Sequence, residues 1–495
     1  MLMNNYLDEI RQNISVRQNL IEMKSLMKDE KQKKALAYAL AGDFSVFTDL
    51  LEHEDPKVRK NAVQILGDLE SDDLKEVIWQ AYLKEETLFV RADYIKSLAR
   101  YDCREYLQNM KDRLQLLNET QFLPEEEKHI SAECTILKTL VMKYDRPRKH
   151  RFIGMDKGFE IVLMTNRNHR DITAAQIKSD KIKLLAGGVR AKVDCLEDAV
   201  AIRTYSELLF PVPGIPYLEG SPEAMAGQLI EAGIVPFLME NHEGNPPFYF
   251  RTEIKTSMPQ GAKVDLLKKF SQALERQADK QMVNSTTGYE IELRLVSNKV
   301  GKLIPFLKLF TVPDWRFYYR KEVLPTSIAP YNAALMMKLA EKYLREDAQV
   351  LDPFCGVGTM LLERIRIGKV RSLYGTDILE EAVIKARTNA NQAKVPANFI
   401  NRDFLDFRHE YFFDEIITNL PVAGKNRSRE DIQFLYERFL DHAKELTSEG
   451  AILAMYSANY TQLMNALRAS RAYEVLQDDC INEREESHFV ICRKK

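Results

Sequence analysis

The chain has 495 residues, which is too long for one ordinary domain and indicates about three, at roughly 100–200 residues each. Hydrophobic residues make up 45% and charged residues 29% of the sequence, so the chain can fill hydrophobic cores and is not disordered throughout. The formal net charge of −2 excludes a histone-like polycation but not a local surface that binds nucleic acid.

Targeting, membrane and metal signals are weak along the chain. No apolar run approaches the roughly 20 residues of a membrane span, and the first ten residues lack the basic patch and apolar core of a secretory signal. The six cysteines and eight histidines are scattered, with no pair at the spacing of a metal site. We therefore expect a cytoplasmic protein with reduced thiols, no membrane contact and no metal.

The first 145 residues have the pattern of a repetitive helical domain. Residues 55–67 begin with Asp-Pro, which is favourable at a helix start, and continue with a helical stripe of apolar residues. The phase set by Val58 returns at Val90, and a weaker copy runs through 130–141. The stretch resembles a HEAT repeat, which implies an α-solenoid over residues 1–145 that contacts a protein partner. A helical domain that only packs on its neighbours is the alternative.

Charge is distributed unevenly along the chain. Residues 1–145 carry a net charge of −6, residues 146–325 of +6 and residues 326–495 of −2. The first boundary is itself basic, with the sequence Arg-Pro-Arg-Lys-His-Arg at 146–151. A solvated connector explains this stretch, and a phosphate-contacting edge is the functional alternative.

The last 170 residues alternate between strand and helix patterns. Apolar strands are predicted at 348–352, 372–377, 398–402, 415–418 and 450–456, with a terminal pair at 473–477 and 489–492. Helices are predicted between them at 360–367, 379–394 and 431–446. Nearly continuous apolar strands that alternate with helices indicate a parallel sheet covered on both faces.

The predicted strands end in residues suited to ligand binding, and ligands of such sheets bind at the carboxyl ends of the strands. The first strand leads into Asp-Pro-Phe-Cys-Gly-Val-Gly-Thr at 352–359, whose glycines let a ligand approach the backbone. Asp377 follows the second strand and suits a ribose diol, although it suits a helix cap equally well. Asp403 follows the third, where a carboxylate can accept from an adenine amino group. Asn419 and the Leu420 carbonyl follow the fourth, and this acceptor pair can hold an exocyclic amine.

Residues 352–359, together with Asn419-Leu-Pro421, resemble the motifs of S-adenosylmethionine-dependent amino methyltransferases. The Asn-x-Pro motif belongs to those members that methylate exocyclic base nitrogens. The resemblance implies a Rossmann-like class I methyltransferase domain over residues 323–495, with S-adenosylmethionine as its cofactor. It also implies catalytic roles for Asn419, Leu420 and Pro421. The cofactor-binding residues predicted on this basis are Thr326, Asp352, Phe354, Gly356, Gly358, Thr359, Asp377, Ile378, Asp403, Phe404 and Asn419.

The middle segment extends the resemblance. Four stretches are similar, in this order, to the N-terminal part of the THUMP-associated methyltransferases of tRNA and rRNA: 159–165, 187–190, 201–204 and 208–210. Further matches follow at 247–251, 289–296, 315–320 and 324–330, the last of which helps to close the cofactor pocket in that family. The resemblance implies an α+β THUMP-like region over 150–322 that grips RNA. It further implies methyl transfer to the amino group of a guanine in tRNA or rRNA.

Two features depart from the family pattern. The family usually has an aromatic residue after Asn-x-Pro, which stacks on the flipped target base. Val422 stands there instead, so that another ring, such as Phe354 or Tyr456, provides the contact, or the substrate or activity has changed. The helical N-terminal region also lies outside the family pattern and suggests an added contact with protein or RNA.

The sequence leaves several alternatives open. Lys425, Arg427 and Arg429 meet RNA phosphates or form a solvated loop. Asn-x-Pro also serves adenine amines and glutamine amides, so an amino methyltransferase acting on DNA or protein is a first alternative. A non-catalytic RNA-binding scaffold that retains the methyltransferase fold is a second, with Val422 as its main support. The intact glycines and acidic residues at the cofactor positions argue against a scaffold.

Overall fold

The computed structural model describes residues 1–495 except 1, 121, 124, 145–149, 286, 425 and 426. The chain forms two compact units, Met1–Arg148 and Lys149–Lys495. The basic stretch at the predicted first boundary lies largely outside the described residues. The predicted boundary between 322 and 323 falls inside the second unit and stays a prediction. Among the described helices none is long and apolar enough to cross a membrane, and all six cysteines are free.

The described part of the first unit is helical, as predicted. Its helices are α1 (Leu2–Arg11), α2 (Val16–Leu26), α3 (Glu30–Leu40), α4 (Ser45–Thr48), α5 (Pro56–Leu69), α6 (Asp73–Lys84), α7 (Leu88–Leu98), α8 (Leu107–Glu119) and α9 (Glu127–Tyr144), with 3-10 turns at Asp49–Glu52 and Arg104–Tyr106. Helix α5 starts where its Asp-Pro pair predicted. The Asp55 side chain accepts a hydrogen bond from Lys57 N at 2.8 Å, and Pro56 occupies the first turn, where its missing N–H is not needed.

The predicted repeat corresponds to a series of packed helices. Helix α2 packs on α5, α5 on α7, and α7 on α9, and their apolar repeat positions share one hydrophobic core. Arginines at equivalent repeat positions both pair with buried glutamates, although these glutamates do not themselves stand at equivalent positions. Arg59 pairs with Glu85 at 2.8 Å, and Arg91 pairs with Glu133 at 3.2 Å. These helices therefore meet through matching apolar positions, while their assignment as HEAT repeats stays a prediction.

The second unit begins with an α+β half. Its strands are β1 (Arg151–Phe152), β2 (Phe159–Thr165), β3 (Ile182–Leu185), β4 (Gly188–Val193), β5 (Tyr205–Pro211), β6 (His242–Glu243), β7 (Phe248–Lys255), β8 (Met282–Asn284), β9 (Ile291–Ser297) and β10 (Leu303–Leu309). Its helices are α10 (Arg170–Ala174), α11 (Leu196–Val200), α12 (Pro222–Glu231), α13 (Ile234–Glu240) and α14 (Gln260–Gln277). Eight strands form one sheet in the order β3-β4-β2-β5-β10-β9-β7-β8, and β1 pairs with β6. Alternate residues of β10 are buried, so one face of the sheet packs on the apolar sides of α12 and α14.

The second unit ends with a seven-stranded sheet. Its strands are β11 (Ala348–Asp352), β12 (Val370–Asp377), β13 (Asn398–Asn401), β14 (Phe413–Asn419), β15 (Thr447–Ser457), β16 (Tyr473–Asn482) and β17 (Ser487–Lys494). Its helices are α15 (Pro330–Ala340), α16 (Thr359–Arg364), α17 (Glu380–Ala393), α18 (Arg429–Leu446) and α19 (Tyr460–Ser470), with 3-10 turns at Glu341–Tyr343 and Phe404–Asp406. The strand order is β13-β12-β11-β14-β15-β17-β16, and the first five strands are parallel. The parallel sheet was therefore predicted correctly, and the terminal pair adds an antiparallel edge in which β17 lies between β15 and β16.

Helix α16 is shorter than the helix predicted over 360–367. It ends at Arg364, whose side chain donates to the Gly368 carbonyl at 3.2 Å. The last two helical residues carry buried charges with distant partners. Arg364 pairs with Glu415 of β14 at 2.7 Å, and Glu363 pairs with Arg203 of the α+β half at 2.6 Å. Local periodicity does not reveal such partners, so the predicted end of this helix was wrong.

Replacement of Arg364 by Leu would leave the Glu415 carboxylate buried without its partner. We expect Arg364→Leu to lower the unfolding free energy of the second unit by about 3–5 kcal/mol, because an uncompensated charge remains inside. The double change Arg364→Leu with Glu415→Leu should recover part of this loss. In a Trp79→Phe background, Trp315 is the one tryptophan of the chain, so its fluorescence during urea unfolding reports the second unit. Equal losses in the single and double variants would contradict the prediction.

Candidate active site

The candidate site lies at the carboxyl edge of the seven-stranded sheet, where the strand order reverses. From β11 the chain continues to β12 and β13 on one side, and β14 and β15 lie on the other. Such a reversal leaves a crevice outside the strand ends, in which ligands of α/β sheets bind. Asp352 ends β11 and Asn419 ends β14, so both predicted motifs border this crevice.

The turn after β11 is held by carboxylates at two strand ends. The Asp352 carboxylate accepts a hydrogen bond from the backbone N–H two residues further on, at 3.1 Å, and the Asp377 carboxylate accepts one from Gly356 N at 2.9 Å. Gly356 and Gly358 have φ angles of +51° and +82°, which favour glycine. A Cβ on Gly356 would meet open space, whereas a Cβ on Gly358 would lie 2.9 Å from the Phe399 ring. The turn is therefore open to a ligand at Gly356 and packed behind Gly358.

The residues around the turn fit a nucleoside-containing cofactor. The Thr359 side chain is buried, and its hydroxyl has no hydrogen-bond partner in the part of the chain that the structure describes. Asp377 also accepts from Leu379 N at 2.9 Å, but Leu379 itself occupies the N-cap of the next helix, so Asp377 is not its cap, and the contact of Asp377 with a ribose stays a prediction. Asp403 lies exposed after β13 and accepts from Leu405 N at 3.0 Å. An unpaired buried hydroxyl and carboxylates along one edge suit the hydroxyl and amino groups of such a cofactor.

The other predicted cofactor residues differ in accessibility. Thr326 is exposed, and Ile378 is 63% exposed at the end of β12. Phe404 is buried, and its ring centroid lies 5.6 Å from that of Phe439, so its ring belongs to the core. Phe354 is half-buried in the same aromatic cluster, 6.0 Å from Phe404. Phe404 can therefore contact a ligand only through its main-chain atoms.

The Asn-Leu-Pro segment presents a free side-chain acceptor at the crevice. Asn419 is half-buried, and its carboxamide makes no hydrogen bond within the described residues. The next residue continues the sheet, because Leu420 N donates to Tyr456 O of β15 at 2.9 Å. The Leu420 side chain is buried, so this residue fixes the segment while the neighbouring carboxamide stays available.

Two residues that the sequence analysis missed, Tyr436 and Asn459, hold this segment by its backbone. The Tyr436 hydroxyl of α18 donates to Pro421 O at 2.6 Å and lies 3.0 Å from the Ser457 hydroxyl. The Asn459 side chain accepts a hydrogen bond from Ala423 N at 2.9 Å. The apolar stripe of α18 predicts burial at position 436. Nothing in the sequence shows that its hydroxyl meets the Asn-Leu-Pro segment, because the contact depends on how β14, β15 and α18 pack.

The basic residues beyond the motif are only partly described. Lys425 lies outside the described residues. Arg427 and Arg429 are exposed, and Arg429 begins α18. Their predicted contact with phosphates stays a prediction. Within the described residues, no group of three or more His, Cys, Asp or Glu side chains is placed to hold a metal ion.

Comparisons with known proteins bear on the C-terminal part of the chain. Residues 318–478 match a family model described as RMKL-like, methyltransferase domain. Over 141 residues the chain is 31% identical to the tRNA (guanine(10)-N2)-dimethyltransferase of Methanothermobacter thermautotrophicus. The aligned region covers 28% of this chain and 41% of that protein. Over 154 residues it is 30% identical to the tRNA (guanine(6)-N2)-methyltransferase of Thermus thermophilus, covering 30% of this chain and 45% of that protein. The chain thus spans less than half the length of these curated relatives.

A solved structure supports the fold over a longer stretch. The TrmN crystal structure from Thermus thermophilus matches with a TM-score of 0.53 and 20% identity, over 68% of this chain and 99% of that chain. Together with the family match, the Rossmann-like sheet identifies the C-terminal part as a methyltransferase domain. The cofactor of this class is S-adenosylmethionine, which the open glycine turn and the unpaired Thr359 hydroxyl fit.

The Asp352 carboxyl gives the site a measurable pH dependence. Burial raises its pKa to about 7, well above the value of about 3.9 expected in the unfolded chain. Between these values the folded state binds more protons than the unfolded state, so Asp352 lowers the unfolding free energy progressively as the pH rises from about 4 to about 7. Asp352→Asn cannot ionise, so its stability relative to the wild type should increase between about pH 5 and pH 8 in urea unfolding. A difference that does not change with pH would contradict the raised pKa.

Proposed function

We propose that this protein transfers a methyl group from S-adenosylmethionine to the exocyclic amino group of a guanine in tRNA or rRNA. The observation that carries the proposal is the unpartnered Asn419 carboxamide at the strand-order reversal, next to the open glycine turn. The names of both curated relatives give guanine N2 of tRNA as their target, which supports the same atom here. An RNA substrate of this kind would place the protein in the cytoplasm.

The chain's own residues would position the amine rather than activate it strongly. Bound S-adenosylmethionine supplies an electrophilic methyl group on a sulfonium. The Asn419 carboxamide oxygen and the Leu420 carbonyl would accept hydrogen bonds from the two amine hydrogens, which directs the nitrogen lone pair at the methyl group. Pro421 has a fixed φ and holds the Leu420 carbonyl in place. The nitrogen loses its proton after the bond forms, so no strong base is required beside Asn419.

The cofactor would lie along the carboxyl ends of β11, β12 and β13. Gly356, Gly358 and Thr359 would line its methionine side. Asp377 would accept from the ribose hydroxyls, and Asp403 from the adenine amino group. Thr326, in the exposed segment before α15, would close over the pocket.

The rest of the chain would bind the RNA and a partner. Residues 146–325 carry a net charge of +6, which supports the α+β half as a THUMP-like RNA-binding region. Arg427 and Arg429 would add phosphate contacts next to the catalytic segment. Residues 1–145 carry a net charge of −6, which disfavours contact with phosphates. We therefore assign the helical repeats to a protein partner.

Asn419→Ala tests the positioning of the amine. We expect it to lower methyl transfer at least about 100-fold, because the acceptor that orients the nitrogen is lost, while the affinity for S-adenosylhomocysteine stays within about twofold. Transfer of tritiated methyl to RNA from cells lacking this gene, followed by nucleoside chromatography, measures the rate and shows N2-methylguanosine. Asn465→Ala, the same change on the exposed surface of α19, is the matched control.

The outcomes of this assay separate the alternatives. Turnover by Asn419→Ala with bound cofactor would contradict its role. Methylation of DNA or protein instead of RNA would favour the first alternative class. RNA binding without methylation of any substrate would favour a scaffold, which Val422 supports because it is 48% exposed where the family carries a ring.

Asp377→Ala tests the placement of the cofactor. We expect calorimetric titration with S-adenosylmethionine to show at least about 10-fold weaker binding, because the ribose contact and the anchor of Gly356 N are both lost. Asp406→Ala removes an exposed carboxylate just past β13 and should leave the affinity unchanged. Equal affinities of the wild type and Asp377→Ala would refute the placement. A wild type that does not bind S-adenosylmethionine would favour the scaffold.

A further inference from the structure

A base held outside its helix needs a flat surface to lie on, and the catalytic segment does not supply one. Enzymes that act on a base extrude it from the stack and hold it against aromatic or apolar side chains. The side chain after Asn419-Leu-Pro421 is Val422, which is aliphatic and 48% exposed. Stacking on an aromatic ring contributes about 1–3 kcal/mol per base, so a ring elsewhere that faces the position of the amine would hold the base beside Asn419 more firmly than Val422 can.

Tyr456 of β15 lies directly beside Asn419 in the sheet. The two residues are register partners in the parallel β14–β15 pair, so their side chains point to the same face. Ile417 and Ala454 are the paired residues two positions earlier on the same face, and they share one hydrophobic cluster with Tyr456. The main chains are joined at this point, because Tyr456 O accepts the hydrogen bond from Leu420 N at 2.9 Å. The backbones that carry the Tyr456 ring and the Asn419 carboxamide are therefore fixed relative to each other.

The packing of Tyr456 leaves it rigid but not enclosed. Its register partner on the other side is Phe489 of β17, which is fully buried in the same cluster. Tyr456 itself is half-buried, and so is Asn419. Core packing therefore supports the ring from the β17 side, and accessible surface is left at the strand ends, where the crevice lies.

The other rings near the segment are directed elsewhere. Phe354 packs into the aromatic cluster with Phe439, at 5.7 Å between ring centroids. This cluster, together with Met455, belongs to the core on the opposite face of the sheet from Tyr456. The Tyr460 ring is already stacked on His488 at 3.8 Å. Phe434 is 61% exposed on the outer side of α18, away from the buried stripe that packs on the sheet.

We propose that Tyr456, in place of residue 422, supplies the aromatic surface on which the target base lies beside Asn419. The assignment rests on the proposed function, because it requires that a base enters this crevice. The ring sets the plane of the base, and the Asn419 carboxamide oxygen and the Leu420 carbonyl then receive its amine. Tyr456 is thus a specificity-determining residue that selects a planar substrate.

Variants at positions 456 and 422 distinguish a ring that contacts the base from a ring that only packs in the core. Tyr456→Leu should lower kcat/KM for RNA at least about 10-fold, because the stacking surface is lost, while Tyr456→Phe should stay within about twofold of the wild type. The affinity for S-adenosylhomocysteine should change less than about twofold in both variants. Val422→Phe added to Tyr456→Leu should recover part of the activity by restoring a ring. The assays use the RNA fraction that the wild type methylates, with thermal unfolding midpoints measured in parallel.

Several outcomes would overturn the proposal. Full activity of Tyr456→Leu would show that no ring contact is made there, and a parallel loss of cofactor affinity would show a structural role. Val422→Phe alone should leave kcat/KM unchanged, and this variant decides the matter even if Tyr456→Leu does not fold. A gain of about 10-fold in kcat/KM from Val422→Phe would show that no aromatic side chain stacks on the target base in the wild type. A wild type that methylates no RNA would instead refute the proposed function itself.

Discussion

Two buried charge pairs, carried by adjacent residues of α16, connect the elements that border the candidate site. Arg364 binds Glu415 inside the sheet at 2.7 Å. Glu363 binds Arg203 of the α+β half at 2.6 Å and accepts from the Tyr319 hydroxyl at 2.6 Å. Helix α16 starts at the glycine turn, and β14 ends at the Asn-Leu-Pro segment. One short helix therefore connects the glycine turn, strand β14 and the α+β half, and burial makes it costly to leave any of these charges unpaired.

A second connection reaches the same turn from the segment between the two halves of the second unit. The Asn389 side chain of α17 accepts hydrogen bonds from Lys321 N and Glu322 N, both at 3.0 Å. It donates to Val357 O in the glycine turn at 3.1 Å and to Glu322 O at 3.0 Å. One fully buried carboxamide thus satisfies four backbone groups, so a displacement of the connecting segment also strains the turn.

The sequence predicted what local patterns determine. The apolar strands were placed to within a few residues, because continuous burial on both faces requires continuous apolar runs, and the residues at their carboxyl ends followed from the parallel order. The end of α16 was wrong because its buried charges are paired with Glu415 and Arg203, which are distant in the sequence. The anchoring contacts of Tyr436 and Asn459 were invisible for the same reason. The burial of the Phe404 ring depended on packing against α18, which periodicity does not reveal.

The hydrogen bonds that anchor the Asn-Leu-Pro segment share a property that bears on how this site can change. On the segment they use only main-chain atoms: Leu420 N, Pro421 O and Ala423 N. None of them uses the side chain at position 422, which is 48% exposed. Almost any residue can therefore occupy position 422 without displacing Asn419. The segment therefore keeps Asn419 in place independently of the side chain at position 422, so this position can be diversified without disturbing the candidate site.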